Sequence, residues 1–127
     1  CNNATVECVE PDLVVVRFLQ GGRLDRHSLE AVMRTRRMLA TEPQAVIVVI
    51  PQDLDFDPKV MMSDQYAEND MNSRTKALAI VSEDIIMESL ASLYFTYHPP
   101  PFEMRIFRCI EDAYRWLLEG PLSRSVA

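Results

Sequence analysis

Residues 45–50 read Ala-Val-Ile-Val-Val-Ile, an uninterrupted apolar run that ends at Pro51. A second, largely apolar run, Lys-Ala-Leu-Ala-Ile-Val, occupies residues 76–81. Short runs of this kind, rich in aliphatic side chains, are typical of strands that are buried on both faces. A sheet that is buried on both faces must be covered by helices. The two runs therefore predict an α/β domain with a largely parallel sheet.

The rest of the chain alternates between strand-like and helix-like segments. The turn signal Glu10-Pro11-Asp12 separates two strand-like segments near the N-terminus and predicts an antiparallel hairpin. Strands are predicted at residues 4–9, 13–19, 45–50, 76–81 and 104–108, and a helix follows each of the last four. The predicted order is ββαβαβαβα, a mixed sheet with an antiparallel N-terminal hairpin and flanking helices.

Capping residues mark the first two helices. Asp25 precedes a helical pattern over about residues 26–41 and is a suitable N-cap. Asp57 followed by Pro58 predicts an N-cap and a first-turn proline for a helix over about residues 58–71.

The two later helices each show an apolar stripe at helical spacing. In the helix that Ser82 is predicted to cap, the stripe consists of Ile86, Leu90, Leu93 and Tyr97. This spacing places the four side chains on one face of the helix. In the last helix, the predicted inner stripe is Ile110, Ala113, Tyr114, Leu117 and Leu118.

Length and charge restrict the class of protein. The chain has 127 residues, which predicts one domain over residues 1–127 with frayed ends at 1–3 and 122–127. Its formal net charge is -6, so a nucleic-acid partner is not expected. No apolar run in the sequence has the length of a membrane span.

The cysteines point to a reducing compartment. Cys1, Cys8 and Cys109 follow no disulfide or metal-binding spacing. We expect Cys8 and Cys109 to be small buried hydrophobic residues rather than nucleophiles. With no signal-peptide pattern at the N-terminus, a cytoplasmic protein is predicted. Because the chain does not begin with Met, a lost upstream segment stays open.

An acidic stretch follows the first apolar run. Asp53, Asp55, Asp57 and Asp64 occupy positions one, three, five and twelve of a calcium-binding loop. Pro58, however, stands where such a loop needs glycine. We therefore predict no metal site and expect a solvated loop in which Asp57 is a helix cap.

Basic residues cluster around the first predicted helix: Arg23, Arg26, Arg34, Arg36 and Arg37. One interpretation is a solvated face in which Arg26 pairs with Glu30. The other is a docking patch, with Arg26, Arg34 and Arg37, for an acidic partner or for the acidic 53–70 segment of a second copy. A dimer of that kind would weaken as salt is added.

The sequence contains no assembled catalytic site. Its three glycines cannot form a phosphate-binding loop, and no cofactor is predicted. His98 together with the acidic 53–57 loop is an alternative, enzymatic interpretation. We expect a protein without catalytic, metal-binding or cofactor-binding residues.

The C-terminal half carries a more specific pattern. It consists of Arg-Thr-Lys-Ala-Leu-Ala-Ile-Val at 74–81, Met-Arg-Ile-Phe-Arg at 104–108 and Ala-Tyr-Arg-Trp-Leu at 113–117. In these segments and in the order of its elements, the chain resembles a group of small bacterial STAS-like proteins, related in fold to the anti-sigma-factor antagonists. The resemblance covers nearly the whole chain and implies a STAS-type mixed sheet flanked by helices.

The resemblance also bears on regulation. In regulatory STAS proteins, a Ser or Thr at the start of the helix after the third strand is phosphorylated by a partner kinase. This chain has Asp57-Pro58 at that point, and Ser63 lies more than a turn further on. The phosphorylation switch is therefore expected to be absent, and Asp55, Asp57 and Ser63 are candidates for a regulatory contact.

The resemblance and the lack of catalytic groups favour a non-enzymatic domain that acts by binding another protein, with a homodimer as one form of that contact. The sequence does not identify the partner. Two alternatives stay open. One is an enzyme that uses the acidic 53–57 loop. The other is a small apolar-ligand or lipid-binding domain whose pocket is lined by Met61, Met62, Ile86, Leu90 and Tyr94.

Overall fold

The fold is described here from a computed structural model, which covers residues 3–122. Its strands are β1 (Ala4–Glu10), β2 (Leu13–Phe18), β3 (Arg23–Leu24), β4 (Gln44–Ile50), β5 (Asp55–Phe56), β6 (Thr75–Ser82) and β7 (Glu103–Phe107). Its helices are α1 (Arg26–Leu39), a 3₁₀ helix (Pro58–Met62), α2 (Gln65–Glu68), α3 (Ile85–Tyr97) and α4 (Ile110–Glu119).

Five of these strands form one mixed sheet in the order β1-β2-β4-β6-β7. β1 and β2 are antiparallel, whereas β2, β4, β6 and β7 are parallel neighbours. The two apolar runs lie side by side, with Ile47 opposite Ala79. The predicted α/β class, the antiparallel hairpin and the arrangement of a STAS-like sheet are therefore confirmed.

The sheet separates two cores because alternate side chains of each strand point to opposite faces. On one face, Val46 and Leu78 pack with α1, α3 and the segment around the 3₁₀ helix. On the other face, Ile47 and Ala79 pack with α4, whose Leu117 is fully buried. The central strands are thus buried on both sides, as their continuous apolar character predicts.

The N-terminus of α1 is held by a capping box. Asp25 accepts a hydrogen bond from the Ser28 main-chain N–H at 2.8 Å, and the Ser28 hydroxyl oxygen accepts one from the Asp25 N–H at 2.9 Å. The Ser28 main-chain hydrogen bond is the largest influence that lowers the pKa of Asp25. The cap therefore stabilises the folded state when this carboxyl is ionised.

We expect Asp25→Ala to lower the free energy of unfolding by about 1 kcal/mol at neutral pH. Since the folded-state pKa of Asp25 is the lowered one, its stabilisation is present above the unfolded pKa and is lost as pH falls through the folded pKa. Urea unfolding at pH 7 and at pH 3 measures both effects. Glu42→Ala, at an exposed loop position, is the control. A deficit of equal size at both pH values would contradict this account.

The predicted helix over 58–71 is wrong because the segment breaks in the middle. The 3₁₀ helix ends at Met62, and its C-cap residue, Ser63, has an extended main chain with φ -146 and ψ 160. Asp64 then caps the short α2 by accepting hydrogen bonds from the main-chain N–H groups of Tyr66 and Ala67. A capping side chain inside the segment therefore starts a second helix instead of continuing the first.

The apolar stripe predicted for α3 is not the buried face of that helix. Met87 and Tyr94 are its buried residues, whereas Ile86 and Tyr97 are exposed. The helix is capped by Asp84, not by Ser82, which lies at the end of β6. Because α3 is apolar around most of its circumference, periodicity alone does not identify the side that is buried. In α4, Ala113 and Leu117 are buried as predicted, but Leu118 is exposed.

A second, two-stranded sheet was not predicted. β3 and β5 pair in parallel, with Arg23 opposite Asp55 and Leu24 opposite Phe56. Gly21, with φ 77, turns the chain after β2, and its N–H donates to the Asp53 carbonyl at 3.2 Å. Strands of two residues are too short to leave an alternation in the sequence. The pairing brings the basic start of α1 against the acidic loop.

The cysteines and Leu122 differ from expectation, and residues 1–2 and 123–127 of the predicted frayed ends lie outside the described residues. Cys8 is exposed and Cys109 is half-buried, so neither is a buried core residue, and Cys1 lies outside the described residues. Cys8 is exposed because it lies on β1, an edge strand of the sheet. Leu122, expected in a frayed tail, is buried and donates its N–H to the Leu117 carbonyl at 2.8 Å.

Candidate functional site

The acidic loop after β4 and the basic start of α1 contact each other within one chain. Arg23 Nη1 lies 2.6 Å from Asp55 Oδ2, and Arg23 Nε lies 3.1 Å from Asp25 Oδ2. Asp57 Oδ2 lies 3.5 Å from the same guanidinium. Asp55 is the main reason that the pKa of Arg23 is raised. This network joins β3 to β5. Because Arg23 is on the surface, its ion pairs add little to the free energy of unfolding.

The predicted basic patch makes contacts of the same kind. Arg26 Nη2 lies 3.7 Å from Glu68 Oε2, and Arg37 Nη1 donates to the Asn69 carbonyl at 2.7 Å. Arg34 is exposed on α1. The basic and acidic segments that we expected to pair between two subunits therefore pair within one. Whether Arg26, Arg34 and Arg37 also contact a partner stays a prediction.

The two residues at the expected phosphorylation point hold local structure. Asp57 caps the 3₁₀ helix by accepting a hydrogen bond from the Lys59 N–H at 3.0 Å. The Ser63 hydroxyl accepts from Gln65 Nε2 at 3.0 Å and donates to Glu68 Oε2 at 3.4 Å. A regulatory role of Asp57 or Ser63 stays a prediction.

The enzymatic and metal-binding interpretations are not supported by an assembled site. His98 Nε2 lies 3.0 Å from the Met61 carbonyl, which ties the end of α3 to the 3₁₀ helix rather than to the acidic loop. Within residues 3–122, no group of three or more His, Cys, Asp or Glu side chains is placed to hold a metal ion. The described helices include none with the length and apolar character needed to cross a bilayer.

The outward side of α3 is an uncharged surface. Ile85, Ile86 and Tyr97 are 64%, 69% and 65% exposed, and Leu93 is 43% exposed. The other exposed residues of the helix are Ser89, Ser92 and Thr96. Charged residues make up 25% of the whole chain, yet none lies among these seven. We call these seven side chains the α3 surface.

The α3 surface is extended by the neighbouring 3₁₀ helix. Met62, the last residue of that helix, is 81% exposed and follows Met61, which contacts His98 at the end of α3. Glu88, the one charged residue of α3, is half-buried and lies 4.0 Å from Arg108. Exposed apolar side chains that are grouped in this way are typical of a protein contact surface.

The sheet face beneath α1 and α3 contains a cavity of about 100 Å³. The sheet contributes aliphatic side chains such as Val46 and Leu78, and α3 contributes Leu90 and Ala91. Of the pocket residues proposed from the sequence, Met61, Leu90 and Tyr94 line this cavity, whereas Met62 and Ile86 point to solvent. The cavity walls are predominantly apolar, so they suit a nonpolar group.

Two buried polar side chains also line the cavity. Arg36 on α1 is 3% exposed and donates to the Thr75 hydroxyl at 3.2 Å and to the Arg74 carbonyl at 3.1 Å. Its Nε has no hydrogen-bond partner, and burial lowers the pKa of the guanidinium. Gln65 is 1% exposed, and its Oε1 likewise has no partner.

Sequence reasoning did not identify Arg36 or Gln65 as site residues. Arg36 was grouped with the surface arginines, although its position four residues after Val32 places both on one side of α1. That spacing is the signal by which its burial could have been foreseen. Gln65 lies in the segment that we predicted as one continuous helix, so its inward orientation was not predictable.

Comparison with known proteins identifies the family. A family model described as "Domain of unknown function (DUF7793)" matches residues 8–120. The chain belongs to this family. No curated protein matches it. The family description names no activity. Solved structures provide the comparison of the fold.

One solved structure shares the fold. It is an uncharacterized protein of the DUF3478 family with a SpoIIAA-like fold from Shewanella loihica PV-4. The match has a TM-score of 0.61 and 18% sequence identity, and it covers 90% of this chain and 91% of the other. At this identity the similarity concerns the fold, and it confirms the STAS-like architecture that the sequence resemblance implied.

Proposed function

We propose that this domain is non-enzymatic and acts by binding another protein through the α3 surface. The observation that carries this proposal is the absence of charge from all seven exposed side chains of α3. An outward helix face normally carries charged or polar residues, because they favour solvation. Apolar side chains kept at such a place lower the free energy when a partner covers them.

The shape of the sheet supports the same conclusion. α4 covers one face, whereas α1, the 3₁₀ segment and α3 cover the other. α3 is thus the outermost layer on its side, and a partner reaches it without moving any element. Of the three arginines of the possible docking patch, Arg26 pairs with Glu30 and Glu68, and Arg37 donates to the Asn69 carbonyl. We therefore assign contact to α3 rather than to the basic patch.

A second copy of the chain is one form of partner that this surface would accept. Such a dimer buries apolar side chains instead of ion pairs, so its affinity should change little with salt. A dimer held by the Arg26–Arg37 region and the acidic 53–70 segment would weaken as salt is added. We place the protein in the cytoplasm, in keeping with its unpaired cysteines, Cys8 and Cys109.

The test is capture of proteins on three immobilised chains: the wild type, Ile86→Glu and Leu118→Glu. Both substitutions place a charge at an exposed apolar position, but Leu118 lies on α4, across the sheet. We expect a protein that the wild type and Leu118→Glu retain equally and that Ile86→Glu retains at least about tenfold less.

Sedimentation of the same three chains at low and high salt reports whether this partner is a second copy. Equal retention by all three chains, or no retention by the wild type and no self-association, would contradict the proposal. Turnover of a substrate at the acidic 53–57 loop would do so as well.

A further inference from the structure

We propose that the cavity beneath α1 and α3 is a binding site for a small apolar monocarboxylate, with the carboxylate on Arg36 and the hydrocarbon part against the sheet. The site is separate from the α3 surface, because its lining residues are on the inner side of the helix. It is therefore independent of the proposed protein contact.

The charge of Arg36 is the first reason. Among residues 3–122, no carboxylate forms an ion pair with this side chain, and its partners are a hydroxyl and a main-chain carbonyl. The side chain is nevertheless 97% buried, with 3% exposed. A buried guanidinium without an opposite charge is unfavourable, and a bound anion would remove this cost.

The second reason for proposing a carboxylate ligand is an N–H donor of Arg36 that has no acceptor. Arg36 Nη1 and Nη2 are engaged, but Nε is buried without a partner. Arginine binds carboxylates through pairs of parallel N–H groups, and a carboxylate approaching Nε completes its hydrogen bonding. Arg36 lines the cavity, so the carboxylate of a ligand inside the cavity would lie beside this guanidinium.

The size and character of the cavity define the rest of the ligand. An engineered cavity of about 150 Å³ lined by aliphatic side chains binds benzene, so a cavity of about 100 Å³ accepts a slightly smaller hydrocarbon group. Val46, Leu78 and Leu90 provide an apolar wall for it. Phe56 and Met61 also line the cavity and are half-buried.

Gln65 is the second buried polar residue of the cavity wall, but its free atom is an acceptor and does not pair with a carboxylate. Its side-chain nitrogen donates to Ser63, and its main-chain N–H donates to the Tyr94 hydroxyl at 2.7 Å, so the residue is held in place. Its Oε1 is a buried acceptor without a partner. Tyr66, which lines the cavity and interacts electrostatically with Arg36, has its pKa raised by burial and stays protonated as a donor near neutral pH.

The test compares isovalerate with methyl isobutyl ketone, a neutral molecule of nearly the same shape in which a methyl group replaces one carboxylate oxygen. Calorimetric titration at pH 7 should show isovalerate binding to the wild type at least about tenfold more tightly than the ketone. Arg36→Met should reduce that preference to about twofold or less, and Arg36→Lys should retain part of it.

A cavity-filling variant completes the design. Ala91→Leu adds carbons from a lining position on α3 and should weaken binding of both molecules at least about tenfold, and its far-ultraviolet circular dichroism should match the wild type. Equal affinities of the two molecules for the wild type, an unchanged preference in Arg36→Met, or no measurable binding of either molecule would each overturn the proposal. If Arg36→Met does not fold, Arg36→Lys and Ala91→Leu still decide it.

Discussion

Replacing Leu78 with alanine should lower the free energy of unfolding by about 3 kcal/mol, within the usual range of about 2 to 5 for a buried Leu→Ala change. Leu78 is 1% exposed and lies on β6, between β4 and β7. Its side chain packs in the core beneath α1 and α3 and already borders the cavity there. Removing more carbon atoms at this place enlarges an existing cavity. Neighbouring side chains cannot move far enough to fill it, so little of the lost packing energy is regained.

The matched control is Leu93→Ala on α3. It deletes the same atoms from a side chain that is 43% exposed, so we expect a cost of less than about 1 kcal/mol. Urea unfolding of both variants and the wild type gives the comparison, with unchanged slopes required for a two-state reading. Similar losses for Leu78→Ala and Leu93→Ala would mean that α3 is turned differently from the description above.

The second large effect concerns two neighbouring residues of α3. Met87→Glu should destabilise the protein by more than about 3 kcal/mol, because Met87 is 6% exposed and the new carboxylate would be buried without a partner. Ile86→Glu should change stability by less than about 0.5 kcal/mol, because Ile86 is 69% exposed.

Thermal unfolding monitored by circular dichroism at pH 7 measures this pair. If the stripe Ile86, Leu90, Leu93, Tyr97 faced the sheet, the order would be reversed and Ile86→Glu would be the damaging change. A larger loss of stability for Ile86→Glu than for Met87→Glu would show that orientation and remove the α3 surface as a contact site. The same pair of variants thus tests a fold detail and the basis of the proposed function.

The central sheet was predictable because its sequence signal is strong and has one interpretation. Residues 45–50 and 76–81 are apolar at nearly every position; β4 begins one residue before the first run, and β6 extends one residue beyond the second run at each end. Asp25 likewise marked the start of α1 through its capping chemistry. In these places local preference and tertiary packing agree.

The helix predictions were wrong where two capping residues compete, and where apolar residues lie on both sides of a helix. Between residues 57 and 71, Asp57 and Asp64 are both good caps, and the second divides the predicted helix. Around α3, apolar residues lie on both sides, so the pattern does not say which side meets the sheet. Tertiary contacts decide both cases, and a single sequence does not contain them.

The candidate site shows the same limit. Arg36 belongs to a group of arginines, and arginine side chains are usually exposed to solvent. Its position on α1 directs this side chain to the start of β6 instead. Burial of Arg36 and the group of exposed apolar side chains around Ile86 are both departures from the usual distribution of side chains. Each departure is unfavourable in the isolated chain, which is why we propose binding at both places.

The most direct test of the central claim is a methyl NMR titration of the isoleucine-labelled chain with the partner that the wild type retains. The account predicts that the Ile85 and Ile86 methyl signals of the α3 surface change on binding, while Ile47 and Ile110, which pack on the α4 side, keep their positions. Changes at Ile110 with unchanged signals from Ile85 and Ile86 would contradict it.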